Sequence, residues 1–108
     1  MSIELWKKSP AYQRIKWNTQ LGRVISVLAG YEYLTLRQIE KRIAQQFPDH
    51  PDTQAAISAR IREVSPSFHG LVKQRTMETL SGHQVWRYRL LPAAPIKQVS
   101  AMINRETA

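Results

Sequence analysis

The sequence predicts an α+β fold in which helices come first and a β-hairpin follows. Two periodicities carry this expectation. From Leu21 to Val64 apolar residues recur at helical spacing, whereas from Leu71 to Leu90 they alternate as on a strand with one buried face. Gly30, Pro48 and Pro66 punctuate the helical part into separate segments.

Each element has its own reason. Ser9-Pro10 is a helix start, with Ser as cap and Pro at the first helical position. A first helix runs from there to Ala29 or begins later, at Asn18; Leu21, Val24, Ile25 and Leu28 form its apolar stripe, and Gly30 stops it. "YEYLT" is a short extended piece. Thr35 and Gln38 then make a capping box for a second helix, which buries Leu36, Ile39, Ile43 and Phe47. Pro48 ends that helix, because the residue before a proline is pushed out of the helical region.

After the turn "PDHPD", the segment "DTQAAISARIREV" reads as a third helix capped by Asp52, with Ile57, Ile61 and Val64 inward. It ends near Ser65-Pro66. "LVKQRTME" and "HQVWRYRL" read as strands joined by "TLSG". On the second strand Trp86, Tyr88 and Leu90 form the expected buried face, opposite Val85, Arg87 and Arg89. Residues 92 to 108 read as a linker and a short amphipathic tail with Ile96, Val99, Met102 and Ile103 on one side.

Charge narrows the partner. Sixteen Lys and Arg against eight Asp and Glu give a net charge of +8, and the cations are spread along the chain. Such a balance favours a polyanion, nucleic acid first and an acidic protein or membrane surface second. There is no cysteine, which excludes disulfides and thiolate zinc sites and fits a reducing compartment. The N-terminus lacks the apolar core of a signal peptide, and no apolar run is long enough to cross a bilayer. A cytoplasmic location is therefore expected. His50, His69 and His83 lack metal-ligand spacing, and the chain has neither a phosphate-binding glycine loop nor a nucleophile elbow. Neither an enzyme nor a cofactor is expected.

The segments "YLTLRQIEKRIAQQF", "DTQAAISARIREV" and "GLVKQRTMETLSGHQVWRYRL" resemble, in that order, a winged helix-turn-helix domain of the kind found in bacterial and phage regulators. The likeness covers residues 18 to 91, with residues 1 to 17 and 92 to 108 flanking it. It implies a three-helix core with a C-terminal hairpin wing. It also implies a third helix that enters the major groove of DNA and a wing tip on backbone or minor groove. Carried onto this chain, it points to Thr53, Gln54, Ala55, Ser58 and Arg62 on the helix, and to Arg75, Thr79, Ser81 and His83 around the wing. The turn "FPDHPD" is longer than the three or four residues of a tight helix-turn-helix.

Side-chain chemistry agrees with several of these positions. Gln54, Ser58 and Arg62 lie away from the apolar stripe; Gln can bond adenine, Arg guanine, and Ser a base or phosphate. With one arginine, the face offers few groups for base reading. Arg37 and Lys41, off the stripe of the second helix, are candidate phosphate contacts. Arg75 is near the wing tip, whereas Arg87 and Arg89 either meet phosphate or keep the hairpin soluble. Lys7, Lys8, Arg14 and Lys16 interleave with Trp6, Tyr12 and Trp17, and three readings stay open: a phosphate-gripping arm, a dimer-packing helix, or a partly disordered tail.

The expected function is that of a small transcriptional regulator bound to double-stranded DNA. The alternative is a protein-interaction module on the same fold, an adaptor or anti-host factor. "SPAYQRIKW" and "IKQVSAMIN" are the candidate surfaces for a homodimer.

Overall fold

A computed structural model describes residues 2–93. Within it the chain is α+β, with six helices followed by one antiparallel hairpin. The helices are α1 (Ile3–Lys7), α2 (Pro10–Arg14), α3 (Gln20–Leu28), α4 (Leu36–Gln46), α5 (Gln54–Glu63) and α6 (Pro66–His69). The strands are β1 (Leu71–Leu80) and β2 (His83–Pro92). The expected helix of the tail and the dimer surface "IKQVSAMIN" lie outside the described residues.

Local chemistry explains where the helices begin. Each has a Ser or Thr at its N-cap whose hydroxyl accepts a backbone N–H: Ser2, Ser9, Thr19, Thr35, Thr53 and Ser65. The Thr35–Gln38 capping box is present in both directions. A first helix running unbroken to Ala29 does not form. Ile15 turns extended after α2, and α3 restarts behind Thr19, close to the later of the two expected starts. Gly22 lets that restart pack: a Cβ there would stand 2.5 Å from the Lys16 carbonyl oxygen and 2.7 Å from the Trp17 Cα.

The core sits between α3, α4, α5 and the root of the hairpin. Val24, Ile25 and Leu28 meet Ile39 and Ile43, then Ile57, Ile61 and Val64, with Leu34, Leu71 and Leu90 closing the far side. Residues 2–17 join this body. Trp6 and Ile15 are buried in the same core, and the Trp6 indole N–H donates to the His69 carbonyl at 2.8 Å. Tyr12 and Trp17 pack edge-on or tilted against Trp6 and each other. Residues 2–17 are thus neither a free arm nor a loose tail.

The expectation for Asp52 is corrected. Thr53 caps α5, and Asp52 is instead buried against α3. Its carboxylate receives Arg23 Nε at 2.9 Å and Nη2 at 3.0 Å, and Gln20 Nε2 at 2.9 Å. The α5 cap needs only one side-chain oxygen, and Thr53 supplies it, which leaves Asp52 for the longer-range partner. The bonds from Arg23 hold the Asp52 carboxyl below the usual carboxylate range, against the opposing effect of burial.

The hairpin is regular. Leu71 pairs with Pro92 at its root and Leu80 with His83 at its tip, so only Ser81 and Gly82 form the turn. Thr79 and Leu80, expected in the turn, extend the strand. Ser81 at φ 50° and Gly82 at φ 78° both adopt the left-handed region that a two-residue turn between twisted strands requires. Leu34 exchanges two backbone bonds with Tyr88, each 2.8 Å, and Gly30 N–H donates to Leu90 at 3.0 Å. The segment between α3 and α4 thereby borders β2 and clamps the hairpin root.

Asp52→Ala strands a buried guanidinium, and urea unfolding at neutral pH should show a loss of about 3–5 kcal/mol. Because the Asp52 carboxyl is depressed, its contribution is complete above the ordinary carboxylate value of 3.8 and is lost as pH falls further. His69 follows the same sign at higher pH. Burial pushes its imidazole below the ordinary value of 6.5, and its Nδ1 accepts the Ser65 N–H at 2.9 Å. Stability should therefore fall as pH drops below that value, and thermal melts of His69→Gln should show a weaker acid dependence over this window.

Candidate nucleic-acid interface

Helix α5 presents two faces. Ile57 and Ile61 are buried, whereas Ala55 and Arg62 are exposed and Ser58 is half-buried between them. The four-residue spacing of Ser58 and Arg62 puts both on one side, and Arg62 Nη2 lies 3.4 Å from Ser58 Oγ. This side does not face open solvent alone. It forms one wall of a cleft of about 340 Å³ whose other wall is the hairpin, lined by Ser58, Ile61, Arg62, Lys73, Gln74, Arg75 and Tyr88.

Strand alternation sets which hairpin side chains share the cationic face, while Gln74, which bonds Arg89 on the other face, borders the cleft from between Lys73 and Arg75. Lys73, Arg75 and Met77 share a face with Trp86, Tyr88 and Leu90, their neighbours across the ladder. Lys73 Nζ donates to the Arg62 carbonyl at 3.0 Å and so ties the strand to the end of α5. Arg75 stacks over the Trp86 ring with its guanidinium carbon 4.9 Å from the centroid. None of Arg62, Lys73 and Arg75 has a carboxylate partner among the described residues.

The opposite hairpin face differs. There Arg87 is ion-paired with Glu78. Arg89 donates to Gln74 Oε1 at 2.8 Å and to the Tyr31 carbonyl at 3.0 Å, and stacks on Tyr33 at 4.2 Å. Between the two sequence readings, phosphate contact or hairpin upkeep, these contacts favour upkeep. Their charge is used within the protein.

The remaining expected site residues are scattered around this cleft. The Thr53 hydroxyl is occupied as the α5 cap, and Gln54 Nε2 bonds Glu40 Oε1 at 3.2 Å. Arg37 and Lys41 are exposed on α4, outside the cleft and outside every ion pair of the described residues. Thr79, Ser81 and His83 lie exposed at the hairpin tip, beyond the cleft. Ala55 is exposed on α5 and does not line it.

Two residues escaped the sequence reading. Lys73 is two positions from Arg75, and that spacing alone places it on the same strand face. Trp86 was expected in the core, yet 38% of it is exposed, beside Met77 at 42%. Alternation identified its face correctly, but the core ends at Tyr88 and Leu90. Comparison with family models, with curated proteins and with solved structures gives no match.

The exposure of Trp86 has a measurable consequence. Trp86→Ala should cost about 1–2 kcal/mol, the sum of one cross-strand pair and one exposed cation–π contact. Ile61→Ala, in the core beneath the same cleft, should cost roughly 2–5 kcal/mol. Chemical denaturation of the two variants checks the contrast, and equal losses would return Trp86 to the core.

Proposed function

We propose that this chain is a winged helix-turn-helix domain that binds double-stranded DNA, as a small transcriptional regulator of the bacterial or phage type. The observation that carries this reading is the convergence of Arg62, Lys73 and Arg75 in one cleft without a carboxylate partner among the described residues. The hairpin's other arginines are engaged internally. A protein of net charge +8 that leaves three cations together on one side is suited to a polyanion.

In this reading α5 is the recognition helix. Its ten residues span about 15 Å and suit a major groove about 12 Å wide. Ala55 and Ser58 let the helix backbone approach closely. Arg62 offers two donors to a guanine edge, and Gln54 can bond an adenine once it releases Glu40. Lys73 and Arg75 take phosphates from the hairpin side, and Arg37 and Lys41 from α4. Thr79, Ser81 and His83 at the tip reach backbone or minor groove. Duplex RNA is disfavoured, because its deep, narrow major groove does not admit side-chain reading. The reading assigns no catalysis and no cofactor.

Salt titration tests it. With four phosphate contacts from Arg37, Lys41, Lys73 and Arg75, the logarithm of affinity should fall with a slope near −3.6 against the logarithm of salt concentration, at about −0.9 per contact. Lys73→Ala and Arg75→Ala should each flatten the slope by about one, whereas Arg87→Ala should leave it unchanged. Failure to bind any duplex at low salt, or a flat salt response, would contradict the reading and favour a protein partner for the cleft.

A further inference from the structure

The distal half of the hairpin carries more apolar surface than a phosphate-gripping wing needs. Beyond the Arg75↔Tyr88 pair the ladder continues through five more pairs to Leu80↔His83. At roughly 3.3 Å per residue this is a projection of about 17 Å past the core. On the face continuous with the cationic cleft, Met77 and Trp86 are direct cross-strand partners and both are exposed. Arg75 lies against the Trp86 ring from the cleft side. An indole and a thioether thus adjoin Arg75, on the strand face that continues into a cleft whose three cations have no carboxylate partner among the described residues.

Charge and apolar surface together suit an occupant that offers both. Exposed apolar residues fused to a basic cleft match a ligand that is anionic outside and apolar within, as base pairs are once a step opens. We propose that Trp86 and Met77 form a wedge that enters the minor groove and unstacks a base step, bending the duplex towards α5. Arg75, stacked on the indole, holds the ring in place and neutralises the adjacent phosphate. The preferred ligand is then duplex DNA with an easily opened step, since apolar insertion kinks the duplex and a weak step costs less to open. The wedge rests on the duplex-binding reading above, and it adds a chemistry that phosphate contacts alone would not supply.

The test uses the full chain and two end-labelled duplexes of about 30 base pairs, one fully paired and one with a central mismatch. Affinity, its salt slope and the end-to-end distance by energy transfer are recorded. The wild type should bind the mismatched duplex more tightly and shorten its end-to-end distance, as a bend of roughly 20–90° would. Trp86→Ala should weaken binding about tenfold, within the range for loss of one aromatic–base contact, with an unchanged salt slope. It should also abolish both the shortening and the mismatch preference. Met77→Ala should show a smaller form of the same defect, and Trp86→Phe should restore part of it. Equal binding of both duplexes without bending, or bending that survives Trp86→Ala, overturns the wedge while leaving duplex binding intact. No binding of either duplex by the wild type overturns duplex binding itself and the wedge with it.

Discussion

The bidentate pair between Arg23 and Asp52 fixes the geometry on which the cleft depends. Asp52 immediately precedes the cap of α5, and Arg23 lies in the middle of α3. Both are nearly excluded from water, so neither can leave without stranding the other's charge. The start of α5 is therefore pinned to α3 by charge, while Ile57 and Ile61 hold its inner face by packing. At the other end Lys73 bonds the Arg62 carbonyl, so the helix is held at its start by α3 and near its end by the hairpin. Its outward face has little freedom to tilt away from the cleft.

The hairpin is held equally firmly at its root and not at all at its tip. Leu34, Gly30, Leu71 and Leu90 secure the first rungs, and Gly70 turns the chain into β1 with a left-handed φ of 69°. Past Tyr88 the two strands support only each other. Electrostatics then separate their faces. One face keeps Arg87 and Arg89 occupied with Glu78, Gln74, Tyr31 and Tyr33, while the other leaves Lys73 and Arg75 beside Arg62. A net-charge count treats these cations alike. Their partners set Arg87, ion-paired, and Arg89, held by two hydrogen-bond acceptors and a ring, apart from Arg62, Lys73 and Arg75, which have no carboxylate partner among the described residues although Lys73 also bonds the Arg62 carbonyl.

Much of the fold was legible because its determinants are local. The Thr35–Gln38 box needs only three-residue spacing, and the inward positions of α4 and α5 follow from helical period. What was not legible depended on distant partners. Asp52 and Thr53 are adjacent and either can cap, and only Arg23, twenty-nine residues away, decides which one does. Trp86 alternates in step with Tyr88 and Leu90, but alternation gives the face and not where the core ends. Of the residues that line the cleft, Ser58, Arg62 and Arg75 are among those the sequence singles out. Lys73 shares the strand face of Arg75, and two-residue spacing is its only signal in the sequence. That Arg87 and Arg89 are engaged within the protein was invisible before the cross-strand register was known.

The proposed docking of duplex DNA at the cleft is tested most directly by mapping backbone amide chemical shifts on titration with duplex DNA at low salt. Docking at the cleft predicts perturbations concentrated at Ser58, Arg62, Lys73 and Arg75 and along the Met77–Trp86 face, with Arg87 and Arg89 much less affected. Perturbations confined to α1, α2 and α6, or absent altogether, would contradict it.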